Sequence, residues 1–140
     1  MDLIIGEYHG NLNHYEQNAV NSNEFDLVTD KFNKIDAGRY SAPAFTDLDN
    51  DGLLDLIIGE QDGNLNHYEQ NAANSTGFTL VTENLNNINV GNNAKPVFTD
   101  LDNDGMLDLV IGNEAGELKH YEQMSENLPV QFSSFTAMQT

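Results

Sequence analysis

The 140-residue sequence has no cysteine, only three prolines and five basic residues. No apolar run approaches the roughly 18 residues of a membrane-spanning helix. The missing thiols exclude disulfides, zinc–thiolate centres and cysteine catalysis, and leave the compartment open. Five Lys and Arg against 23 Asp and Glu give a formal net charge of −18. Nucleic acid needs cationic side chains for its phosphates, so no such partner is expected. The same excess argues against anionic membrane surfaces, and no membrane insertion is expected. Met1 is followed at once by Asp2, so the expectation is that any export signal of a parent protein lies elsewhere. No stretch has a 3.6-residue apolar period, which leaves no amphipathic helix to place. GxSxG, HExxH and glycine-rich phosphate loops are absent as well.

What is present is a repeat. Hydrophobic residues make up 39% of the chain, enough for a real core. "DLIIGEYHGNLNHYEQNAVNS" from Asp2 returns as "DLIIGEQDGNLNHYEQNAANS" from Asp55 and as "DLVIGNEAGELKHYEQ" from Asp108, so the period is 53 residues both times. Each unit reads as four short strands. "APAFTDL" (A) carries a proline at its head, and "LDLIIGE" (B) is the near-continuous apolar run of a strand covered on both faces. "NLNHYEQN" (C) alternates, and "FTLVTEN" (D) closes the set, with "DNDG", "QDG" and "NAANSTG" as turns. Four strands in about 50 residues describe a propeller blade; strict repetition disfavours the alternative, a β-sandwich.

The expected fold is therefore all-β: a β-propeller of four-stranded antiparallel blades, about three to a chain. Residues 1–46 form a partial blade (B-C-D). Residues 47–99 form the complete repeat unit, and residues 100–140 a third unit with a divergent tail from 124. About three blades cannot close a ring of at least four. The expectation is a homo-oligomer in which copies complete each other's broken blades, with a dimer favoured and a trimer as the alternative.

The acid excess concentrates in "DLDNDGLLD" and "DLDNDGMLD". Counting from Asp47, carboxylates fall at positions 1, 3, 5 and 9 (Asp47, Asp49, Asp51, Asp55). A glycine stands at position 6 and the Leu53 carbonyl is available at position 7. Asp100, Asp102, Asp104, Met106 and Asp108 repeat the pattern. Calcium takes six to eight hard oxygens, and this spacing turns oxygens inward, so two Ca2+ sites per chain are expected. An EF-hand is excluded because position 12 is Ile58 or Ile111 rather than Glu. Magnesium suits a flexible four-carboxylate loop less well. The competing reading is a solvated acidic turn. Asp2 matches position 9 of a further loop and should bind nothing alone.

"FTDLDNDGLLDLIIGEQDGNLNHYEQN" resembles the FG-GAP/VCBS repeat family, the calcium-binding propeller blades of integrin α-subunit heads, of some lectins and of many large secreted bacterial proteins. The resemblance runs from residue 2 to about 123. It implies that the aspartates named above are calcium ligands on the hairpin between strands A and B, and that these sites stiffen the blade rather than catalyse.

His14, His67 and His120 recur in "HYEQ", where blade packing is weighed above ligand binding or acid–base chemistry. The B–C turns and the D-to-A linkers, with Tyr8 and Tyr40, should share one rim suited to sugar hydroxyls. The expected function is a non-enzymatic, calcium-stabilised module for extracellular or cell-surface recognition or adhesion, lectin-like, with a glycan or protein ligand. The alternative is a structural or self-assembling propeller fragment, natural or designed, with no ligand of its own.

Overall fold

Strands form at the apolar and alternating segments of each repeat, and the Asn-, Asp- and Gly-rich stretches between them turn the chain. The computed structural model describes residues 1–124 and 131–134 and is all-β. The first sheet holds β1 (Asp2–Gly6), β2 (Leu12–Gln17) and β3 (Phe25–Thr29). The second holds β4 (Ala42–Thr46), β5 (Asp55–Gly59), β6 (Leu65–Gln70) and β7 (Phe78–Thr82). The third holds β8 (Lys95–Thr99), β9 (Asp108–Gly112), β10 (Leu118–Gln123) and β11 (Phe132–Ser134). Within each sheet the strands pair antiparallel in sequence order, giving three successive meanders in a propeller-like arrangement. Pro43 and Pro96 sit in the edge strands β4 and β8, where a missing N–H is tolerated.

In the tail, β11 continues the third sheet with Phe132 opposite Gln123, as Phe78 stands opposite Gln70. The rest of the tail, 125–130 and 135–140, lies outside the described residues.

Two apolar clusters join the sheets. Leu12 of the first sheet meets Leu56 and Ile58 of β5 through Phe32, Ile35 and Ala37 of the intervening linker. One repeat later, Ile57 and Leu65 meet Leu109 and Ile111 of β9 through Leu85, Ile88, Val90 and Ala94. Alternate side chains of β5 thus enter opposite junctions, so all five of its residues are buried and its apolar run is continuous. The linkers are shaped by asparagine. Among the described residues eight of the ten non-glycine residues with positive φ are Asn, four of them (Asn33, Asn86, Asn87 and Asn93) in the linkers, and Asn tolerates this region best after glycine. Each linker also carries one 3₁₀ turn, Phe32–Lys34 or Leu85–Asn87, whose first side chain is buried at the junction.

Candidate metal centre

The loop after Thr46 joins the edge strand β4 to the central β5, and its copy after Thr99 joins β8 to β9. Gly52 and Gly105 have φ of 87° and 89°, and no atom lies within 4 Å of where a Cβ would stand. Backbone angle, not space, is what demands glycine here. Asp47 folds the loop by accepting the N–H of Asp51 (3.1 Å) and of Gly52 (3.0 Å), as Asp100 accepts those of Asp104 and Gly105 at the same distances. Asp51 accepts the Leu53 N–H and Asp104 the Met106 N–H, both at 2.8 Å.

Position 9 is different in kind. Asp55 and Asp108 open the central strands and are buried. Asp55 Oδ2 accepts the Leu48 N–H (2.6 Å) and its Oδ1 pairs with His67 Nε2 (2.5 Å). Asp108 does the same with Leu101 (2.7 Å) and His120 (2.6 Å). Asp2 keeps the histidine half of the arrangement, with His14 at 2.7 Å. The "HYEQ" histidine is therefore a partner of the ninth-position aspartate in every repeat, a role more specific than packing.

In the first loop the carboxylates of Asp47, Asp49 and Asp55 lie within 4.8 Å of one another, and in the second those of Asp100, Asp102 and Asp108 do. Asp102 belongs to a second group of the same span with Asp104 and Glu122. Asp51 is exposed and stands outside the first triplet, while Leu53 and Met106 contribute N–H groups to the loop's own turns. Glu122, and Glu69 in the preceding repeat, were not anticipated as members of the site. Both come from the neighbouring strand by register, Glu69 opposite Asp55 and Glu122 opposite Asp108.

The electrostatics follow from this crowding. Unit charges at such a separation repel by about 1 kcal/mol in water and about 3 kcal/mol at a protein-surface dielectric. Burial raises Asp49 above the usual carboxylate value, and Asp51 and Asp55 push the same way. Burial likewise raises Glu69, with Asp51, Asp55 and Asp49 adding to it. Burial pushes Asp108 up too, but the hydrogen bonds from His120 and the Leu101 N–H outweigh it and hold the carboxyl below its ordinary value. Each site is thus a crowded set of hard oxygen donors in which carboxylates outnumber the single histidine, a chemistry suited to a hard divalent cation.

A family model of the FG-GAP-like repeat matches residues 47–111. This segment is similar to an FG-GAP-like repeat. The match opens on Asp47 and takes in both acidic loops and the strands between them. No curated protein matches the chain. Across the FG-GAP-like segment the aspartate loop, the central strand and the His–Asp pair form one connected unit, with the loop's first and last carboxylates tied to backbone on either side.

Away from the loops, the B–C turns and the linkers meet as expected. The linker donates from Ala37 to Gly10, from Tyr40 to Tyr8 and from Ser41 to Glu7, and Val90, Asn93 and Ala94 repeat the pattern. Much of the polarity of this rim is spent on the turns themselves. Glu7 accepts the N–H and side-chain amide of Asn11, and Glu60 the N–H groups of Asp62 and Asn64. Tyr8 and Tyr40 stay exposed, stacked edge to face at 4.9 Å with the Arg39 guanidinium over Tyr8. The second junction has Gln61, Asn92 and Asn93 at those places, so the aromatic pair occurs once.

Proposed function

We propose that the chain is a non-enzymatic, calcium-stabilised propeller repeat module for extracellular recognition. The observation that carries the calcium half is the convergence of the first, third and ninth carboxylates in both loops. Asp47, Asp49, Asp51, the Leu53 carbonyl and Asp55 would hold one Ca2+; Asp100, Asp102, Asp104, the Met106 carbonyl and Asp108 would hold the other. Bound there, the ion supplies positive charge that turns carboxylate repulsion into cross-linking of the loop to the central strand. Extracellular calcium modules work at weak affinities, about 10⁻⁴–10⁻³ M, which suits an exposed loop in a calcium-rich medium.

Thermal melting tests this directly. Calcium at a hundredfold excess over Kd stabilises by about 2.7 kcal/mol per site, and Asp51→Ala with Asp104→Ala removes the gain. A melting temperature indifferent to EDTA and calcium overturns the calcium reading. The pH dependence has a definite sign. Asp49 and Glu69 hold protons more readily folded than unfolded, so in EDTA stability rises as pH falls from neutrality towards the ordinary carboxylate values of about 4. Asp108 acts oppositely: its stability is present above the unfolded value and is lost as pH falls through the depressed folded one. Saturating calcium should erase the gain on mild acidification, because it supplies the same neutralisation.

The recognition half rests on the Tyr8–Tyr40 pair with Arg39, an exposed aromatic platform beside a cation that suits the apolar face and the hydroxyls of a sugar ring. A glycan array is expected to show binding that Tyr8→Ala abolishes without altering the melting temperature. Binding that survives Tyr8→Ala moves the site elsewhere, and no binding at all leaves the structural reading, which the exposed end sheets favour.

A further inference from the structure

The two end sheets expose the side chains that their counterparts bury. Leu3 and Ile5 of β1 are 39% and 44% exposed, whereas Leu56 and Ile58, and Leu109 and Ile111, at the same repeat positions are fully buried. At the other end Leu118 of β10 is 75% exposed, whereas Leu12 and Leu65 are fully buried. These are the two halves of one contact. Within the chain, the Leu12/Leu65 side of each sheet meets the Leu56, Ile58/Leu109, Ile111 side of the next. The first sheet keeps an uncovered copy of the second half, and the third sheet an uncovered copy of the first.

We infer that the third sheet of one chain docks onto the first sheet of a second copy, Leu118 against Leu3 and Ile5, in a head-to-tail contact that repeats the internal junctions. A second copy fits these surfaces because both internal junctions already join them. The contact is heterologous, so copies add on until a ring closes. The junction between copies differs from an internal one beside β1. Among the described residues no strand flanks β1 as β4 and β8 flank β5 and β9, and a cleft of about 720 Å³ lies next to it, between β1 and β4 of the same chain, lined by Ile4, Phe32, Pro43 and Phe45. The inference goes beyond the calcium reading and does not depend on it. The net charge of −18 opposes association, so the contact should tighten with salt.

Sedimentation equilibrium on the whole chain tests it. The wild type is expected at a multiple of its 15.5 kDa. Leu118→Asp and Ile5→Asp, each disabling one end, should each run as monomers. An equimolar mixture of the two should recover a heterodimer, since each variant keeps the end the other has lost. Circular dichroism and melting establish that both variants fold, and Leu3→Asp replaces Ile5→Asp should the latter fail. A wild type at monomer mass throughout overturns the inference. So does a one-ended variant that keeps the wild-type mass, or a mixture that stays monomeric.

Discussion

Asp55→Ala is expected to cost about 3 kcal/mol of folding stability even in EDTA, whereas Asp51→Ala costs within about 0.5 kcal/mol there. Both residues are expected calcium ligands, so their difference separates structure from ligation. Asp55 is buried and holds the Leu48 N–H with one oxygen and His67 with the other. Removing it strands a buried donor and an imidazole together, and a smaller residue gives neither a replacement partner. Asp51 is exposed and its carboxylate accepts the Leu53 N–H, a role that water can take over. Urea unfolding of both variants in EDTA measures the two losses. Equal losses would mean that the His–Asp pair does not anchor the loop.

The second large effect is expected at Gly59, where a Cβ would stand 2.1 Å from the Ala94 carbonyl oxygen and 2.7 Å from its carbon. That neighbour is backbone, fixed by the Ala94 N–H donating to Glu60 and by the buried Ala94 methyl, so it cannot yield as a flexible side chain would. Gly59→Ala must push the second and third sheets apart, at a cost of about 3 kcal/mol or more. Gly112 stands at the same position of the next repeat, where the nearest atom is Leu118 Cδ2 at 3.7 Å, an ordinary contact. Gly112→Ala should therefore change stability by less than about 1 kcal/mol. Melting the two variants side by side is a direct probe of the sheet-to-sheet junction; equal tolerance would contradict it.

The acidic loops were legible because their chemistry is local. Alternate carboxylates and a placed glycine can be read along the chain, and the structure does bring Asp47, Asp49 and Asp55 together. Glu69, Glu122 and the histidines were harder, since they join through strand pairing. A signal for them did exist. Asp and His stand 12 residues apart, and Asp and Glu 14, in all three repeats. Such constant spacing marks groups held opposite each other across one hairpin, but spacing alone does not say which oxygen meets which nitrogen.

The segment DLIIG occurs unchanged at β1 and β5, as LNHYEQ does at β2 and β6. The sequence by itself determined that these stretches become strands, that they pair as hairpins, and that a tight acidic loop precedes the second DLIIG. Those outcomes depend on alternation, turn residues and short-range register, which travel with the segment. Only the tertiary structure decided burial. β5 has a sheet on either side and buries all five residues, while β1 has one neighbour and leaves Leu3 and Ile5 in solvent. Burial is a property of what stands beside a strand, and identical residues carry no record of it.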